Sequence, residues 1–277
     1  MAGGSTPPLV RAATNHITLP YYASVRAATA LVCVVPYALL VHASWHVSAE
    51  TLLLSIVAGF LNMFVGSLLL LSLIRKSSVH IVVPLANTAP FWGVVLSVLM
   101  LGEPASSSVF LAGALVALGA CLLLGPSRRE KKEFSAADVL QALAIGVLFG
   151  LSNVVLSKLC LERGMDPATL QVVFISTSLL SWGTVALVTP TRRNLSWSRK
   201  GIGLACAHGF IGLFVSRALW FSALEYGLAS QLSPFRGLGT PVAFLLSVAL
   251  LKEHPTPRSI LGVGIVFAGA SLAYFGH

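Results

Sequence analysis

Nine apolar runs follow one another with little between them, at about 24–43, 51–74, 79–101, 108–125, 137–160, 168–189, 202–224, 228–251 and 259–276. A bilayer core about 30 Å thick takes roughly 20 apolar residues as one helix. In lipid the backbone must satisfy its own hydrogen bonds, which leaves helices or a closed barrel, and runs this long do not resemble the alternating strands of a barrel. The chain therefore reads as an all-α, polytopic membrane helix bundle. Its composition agrees, with 56% hydrophobic and 10% charged residues and a mean hydropathy of +0.87.

The net charge of +9 sits in short connections beside apolar spans. That placement points to the lipid bilayer and its anionic headgroups as partner, and not to nucleic acid. Cys33, Cys121, Cys160 and Cys206 lie within or at the ends of spans without a CxxC pair, which suits reduced packing thiols. The first twenty residues hold no apolar core of the kind a signal peptide needs, so no cleavage is expected. No DDxxD-type cluster, HExxH or P-loop is present, so neither a metal nor another cofactor is expected, and the chain does not read as an enzyme.

Shifting the chain by 150 positions pairs residues 59–125 with 209–275 and finds 17 identities, among them Gly59 with Gly209, Phe64 with Phe214, Pro84 with Pro234, Glu103 with Glu253 and Gly119 with Gly269. Such self-similarity marks a duplication. Charge changes between the copies: Arg75 and Lys76 correspond to Glu225 and Tyr226, whereas the base-free EPASSS corresponds to KEHPTPRS. Basic residues favour the cytoplasmic side, so equivalent loops of opposite bias imply halves that cross the membrane in opposite directions. Of the 18 Lys and Arg, 14 fall in the amino-terminal segment and on alternate loops. This places the amino terminus in the cytoplasm and the carboxyl terminus outside. Lys158 and Arg163 lie on the other side, and Arg217 and Arg236 lie within spans.

Four organisational units result: an amino-terminal segment, 1–20, expected to be poorly ordered; a first repeat of four helices, 21–126; a basic linker, 127–136; and a second repeat of five helices, 137–277. Matching DPATLQVV near 166 with LPYYASVR near 19 leaves the helix at 137–160 without a counterpart. The residues before 20 include Pro7, Pro8, Arg11, Asn15 and His16 and do not read as a span.

Two segments, APFWGVVLSVLMLGEPASSSVFLAGALVALGACLLLG and TPVAFLLSVALLKEHPTPRSILGVGIVFAGASLAYFG, share one pattern. Each is a proline-led helix ending in glutamate, then a short Ser/Thr/Pro linker and a helix of small residues. Together they resemble the paired EamA domains of the drug/metabolite transporter superfamily over about residues 20–276. The resemblance implies ten helices in two inverted halves around a central cavity, here with the first helix absent, and transport of small metabolites or toxic compounds.

Arg217 and Arg236 lie about eight residues from the same end of consecutive antiparallel spans, which puts both about 12 Å from one membrane face. An ionised Arg at mid-span costs at least about 2.5 to 3.5 kcal/mol, so it should face a cavity or a partner. Every Asp and Glu sits at a helix end or in a connection, and an anionic ligand suits the uncompensated cations. Snorkelling or capping of carbonyls freed by Pro234 and Pro241 is the competing explanation. Asn62, Asn153 and Gln171 are polar groups at membrane depth, and Asn87 lies between Pro84 and Pro90. Trp220, one turn from Arg217, could stack on it or on a substrate ring. Glu103 and Glu253 suit capping better than proton coupling, and His80 lies near a span end. The candidate substrate-binding residues are thus Arg217, Arg236, Trp220, Asn62, Asn87 and Asn153. The leading expectation is a secondary transporter exporting a small organic metabolite, anionic in character, across the plasma (cytoplasmic) membrane. The alternatives are a flippase for lipid or lipid phosphate, a membrane scaffold protein without transport, and a membrane-embedded enzyme acting on lipid or prenyl phosphate.

Overall fold

Each apolar run carries helix. The structure, a computed structural model, describes residues 17–76, 86–104, 106–123, 135–188, 198–242 and 256–275. Helix α1 is Leu19–Leu40, and α2 is Ala49–Phe60, a π-helical turn at Leu61–Val65, and Gly66–Lys76. Helices α3 and α4 are Ala89–Leu101 and Ser107–Leu123. Helix α5 is Ala136–Gly150, a second π turn at Leu151–Val155, and Leu156–Glu162; α6 is Pro167–Val188. Helix α7 joins Arg199–His208 to Ser216–Tyr226 through a third π segment, Gly209–Val215. Helix α8 opens as Ala229–Leu232 and tightens into a 3₁₀ helix over Ser233–Leu238, and α9 is Pro257–Phe275. Among the described residues there is no strand. Among the described residues, six helices are long and apolar enough to cross a membrane: α1, α2, α5, α6, α7 and α9.

Polar flanks set the helix starts. Ser48 and Ser198 accept from the backbone N–H of Thr51 and Gly201, and Ser135 forms a capping box with Asp138. Pro20 and Pro167 occupy first turns, where a missing N–H leaves no bond unmade. Starting at Leu19, α1 begins five residues before the boundary read from hydropathy, and this sets Arg26 two turns inside the helix. The expected basic linker (127–134), Pro84, His80, Glu253 and residues 1–16 of the amino-terminal segment lie outside the described residues.

Large apolar side chains point outward: Leu40, Leu99, Leu140, Leu187, Leu219 and Phe275 are exposed. The interior holds many small residues, including Ala27, Ala30, Ala58, Ala112 and Ala142, together with polar groups. This distribution suits a bundle in lipid, where close backbone approach and interhelical hydrogen bonds hold helices together.

The repeat is visible in the packing. Helix α6 packs on α1, α6 on α2, and α1 on α7, so exchanging the halves maps the contacts onto one another. At the α4–α9 crossing, a Cβ on Gly119 would lie 2.8 Å from the Gly262 carbonyl oxygen, and one on Gly269 would lie 2.9 Å from that of Ala112. These contacts exchange under the 150-residue shift, which pairs Gly119 with Gly269 and Ala112 with Gly262. Helices α1, α2, α3 and α4 each have their counterpart five crossings later, in α6, α7, α8 and α9. Five is odd, so equivalent helices run in opposite directions and the two repeats are inverted.

Candidate functional site

The site is organised by the π segments. Such a turn interrupts the helical hydrogen-bond ladder and leaves carbonyls without their usual partner, a local feature frequent at functional sites. Within a bilayer those carbonyls need donors. Side chains of neighbouring helices supply them. Trp182 Nε1 on α6 donates to the Met63 carbonyl at 2.9 Å, and Trp220 Nε1 on α7 donates to the Asn153 carbonyl at 3.1 Å. Gln171 Nε2 on α6 donates to the carbonyls of Leu213 and Phe214 at 3.0 and 2.8 Å. The turns of α2 and α7 are related by the duplication, since 61–65 corresponds to 211–215.

The turns also direct polar side chains to one another. Arg217, two residues beyond the π segment of α7, donates through Nη2 to Asn62 Oδ1 at 2.8 Å, and Met63 Sδ lies 3.1 Å from the same nitrogen. Asn62 Nδ2 donates to Ser152 Oγ at 3.2 Å, which brings the turns of α2 and α5 together. The Arg217 guanidinium lies 5.4 and 5.8 Å from the ring centroids of Phe174 and Phe221. The Arg236 guanidinium, carried by the 3₁₀ segment of α8, lies 4.6 Å over the Trp220 ring, whose nitrogen holds Asn153. Arg236, Trp220, Asn153, Ser152, Asn62 and Arg217 therefore form one connected line.

The line is rich in unused donors. Arg217 Nε and Nη1, Arg236 Nη1 and, on the acceptor side, Asn153 Oδ1 are buried without a hydrogen-bond partner. Arg217 and Asn153 are 7% and 5% exposed, so bulk solvent reaches little of either side chain. The charges of Arg236 and Arg26 both act on Arg217. Among the described residues the one buried carboxylate is Glu103, and it is committed elsewhere. Its two oxygens accept the backbone N–H groups of Ala229 and Ser230, each at 2.7 Å, and so cap α8.

Five of the six residues selected from sequence are thus brought together: Arg217, Arg236, Trp220, Asn62 and Asn153. Asn87 is not. It lies half-buried in the turn before α3 and joins none of these hydrogen bonds among the described residues. Trp220 stacks on Arg236, and aromatic contact with Arg217 comes from Phe174 and Phe221 instead. Lys158 caps α7 through the carbonyls of Leu224 and Gly227, both at 3.0 Å, which accounts for a base on the base-poor side.

Sequence reasoning missed a neighbouring polar group. The Tyr22 hydroxyl and His208 Nδ1 lie 2.6 Å apart, and the Arg26 guanidinium lies 5.9 Å from the Tyr22 ring with Nε unpartnered. The signal was present, since seven residues of α1 precede Arg26, but its charge had been grouped with the amino-terminal bases. An open apolar groove of about 420 Å³, lined by Leu52, Ile56, Val173 and Leu180, lies on the outer face between α2 and α6 and contains none of these polar groups.

Comparisons with known proteins agree with the architecture. A solved crystal structure of a protein matches with a TM-score of 0.79 and 17% identity, over 98% of this chain and 92% of that one; this likeness concerns the fold alone. No curated protein matches in sequence. The family model described as the EamA-like transporter family matches twice, at residues 1–125 and 137–275. A duplicated, inverted helical bundle that both of these matches span is a multi-pass membrane transporter of the drug/metabolite type, and the chain belongs to the EamA-like transporter family.

Proposed function

We propose that the protein is a secondary transporter that exports a small organic anion across the plasma (cytoplasmic) membrane, by alternating access between its inverted halves. The amino terminus and the basic loops face the cytoplasm. The observation that carries this reading is the buried pair Arg217 and Arg236, each with a guanidinium N–H lacking a partner, in a cluster with no carboxylate among the described residues. A planar guanidinium can give two parallel hydrogen bonds to a carboxylate, so an anion supplies both the missing charge and the missing acceptors. Asn62 orients Arg217 and Trp220 supports Arg236, so the donors are positioned before the anion arrives.

Reconstitution into proteoliposomes tests the reading. Uptake of radiolabelled propionate, lactate and succinate is compared with transbilayer movement of a fluorescent phospholipid, in wild type, Arg217→Ala and Arg236→Ala. The proposal expects uptake of at least one soluble anion, reduced about tenfold or more by each substitution, the scale of a lost charge-assisted hydrogen bond. Phospholipid movement without anion uptake would establish a flippase, and uptake unaffected by both substitutions would remove the arginines from the site.

A further inference from the structure

The anion site also holds an unfilled acceptor. Asn153 Oδ1 is buried without a partner, on a residue whose backbone carbonyl is tied to Trp220 and whose neighbour Ser152 is tied to Asn62. Asn153 therefore stands between the Arg236 end and the Arg217 end of the line. Three of the donors along this line are spent on other acceptors: Trp220 Nε1 on the Asn153 backbone carbonyl, Asn62 Nδ2 on Ser152 Oγ and Arg217 Nη2 on Asn62 Oδ1. A buried acceptor left unpaired costs about 1–3 kcal/mol, so a ligand that fills it gains over one that does not. A carboxylate cannot fill it, because a carboxylate only accepts.

We propose that the site selects a carboxylate bearing a hydroxyl on the adjacent carbon: the arginines take the carboxylate, and the hydroxyl donates to Asn153 Oδ1. This rests on the anion reading above and adds to it a second, neutral recognition element. An ammonium group could also donate to Asn153. It would, however, bring a positive charge toward two guanidinium groups that have no counterion among the described residues, and it would cancel the negative charge that they attract. A hydroxyl satisfies the acceptor and leaves the anion's charge intact.

The test is a matched series of probes differing only at that carbon: propionate, lactate, pyruvate and alanine. Each competes for binding of radiolabelled lactate to the purified, nanodisc-embedded full chain. The expectation is that lactate binds at least fivefold more tightly than propionate, pyruvate or alanine. In Asn153→Ala the ratio of lactate to propionate affinity falls to less than twofold; in Asn153→Ser, which keeps an acceptor oxygen, part of the advantage remains. Equal binding of lactate and propionate, a lactate advantage undiminished in Asn153→Ala, or alanine binding as tightly as lactate overturns the proposal. Pyruvate equal to lactate overturns it too, because the amide would then be donating. Arg217→Ala and Arg236→Ala separate the two levels of the argument. If they abolish binding while lactate and propionate remain equivalent, the anion reading stands and this inference falls; if no probe binds wild type, or neither substitution affects binding, both fall.

Discussion

Arg236 rests 4.6 Å over the Trp220 ring, and the indole nitrogen of that tryptophan holds the Asn153 carbonyl, so one residue supports a charge with its face and a backbone group with its edge. The two roles separate by substitution. Trp220→Phe keeps a ring beneath Arg236 but orphans the buried carbonyl, which lowers stability by about 1–3 kcal/mol in a thermal or denaturant shift assay. Trp220→Ala removes the cation–π contact as well, worth about 0.5–2 kcal/mol, and weakens anion binding by a further 2- to 30-fold or so in the competition assay. Much of this site was legible as residues. Asn62, Asn153, Arg217 and Arg236 stand out because a polar group inside an apolar run has to meet a partner. The same logic selected Asn87, which stands in a turn outside these hydrogen bonds; a polar residue in a turn beside prolines also has a local reason to be polar. Arg26 escaped for the opposite reason: it lies close enough to the helix start to pass for a loop charge.

At the scale of elements, the number of helices and their approximate ends follow from hydropathy, whereas the π segments do not, because an extra residue in one turn leaves an apolar run equally apolar. Gly59, Phe60, Phe64 and Val65 recurring as Gly209, Phe210, Phe214 and Val215 hint only that both halves share a feature there. What makes the turns tolerable is supplied from other helices, far away in sequence. Gln171 illustrates the dependence, and Gln171→Leu, leaving the Leu213 and Phe214 carbonyls bare, should lower stability by about 1–3 kcal/mol. Glu103 plays a comparable part between the halves by capping α8. Glu103→Gln, which keeps an acceptor oxygen but loses the charge, should destabilise less than Glu103→Ala, which loses both bonds, with differential scanning fluorimetry of the purified protein giving the order. At the α4–α9 crossing Gly119→Leu meets the Gly262 carbonyl with no room to yield, and loss of folded protein in size-exclusion chromatography is the expected outcome.

For the whole molecule, the proposed transport asks the inverted halves to rock against each other, so that a site near mid-membrane opens to either side. Inversion is testable with the chain's own symmetry. Ser106 and Thr256 are equivalent under the 150-residue shift, so in a chain with its four cysteines replaced, Ser106→Cys and Thr256→Cys should react with an impermeant maleimide from opposite sides of sealed vesicles. Labelling of both from one side would refute the topology. Duplication and charge reversal made this arrangement readable from sequence, while the convergence of three π segments on the arginines needed the packed structure. The most direct measurement is an experimental structure of the protein with a bromine-labelled carboxylate, 3-bromopropionate, bound. The account predicts an anomalous bromine peak among α2, α5, α7 and α8, with the carboxylate in hydrogen-bond range of Arg217 and Arg236; it is contradicted if both guanidinium groups face acyl chains, or find protein acceptors, while the peak lies elsewhere.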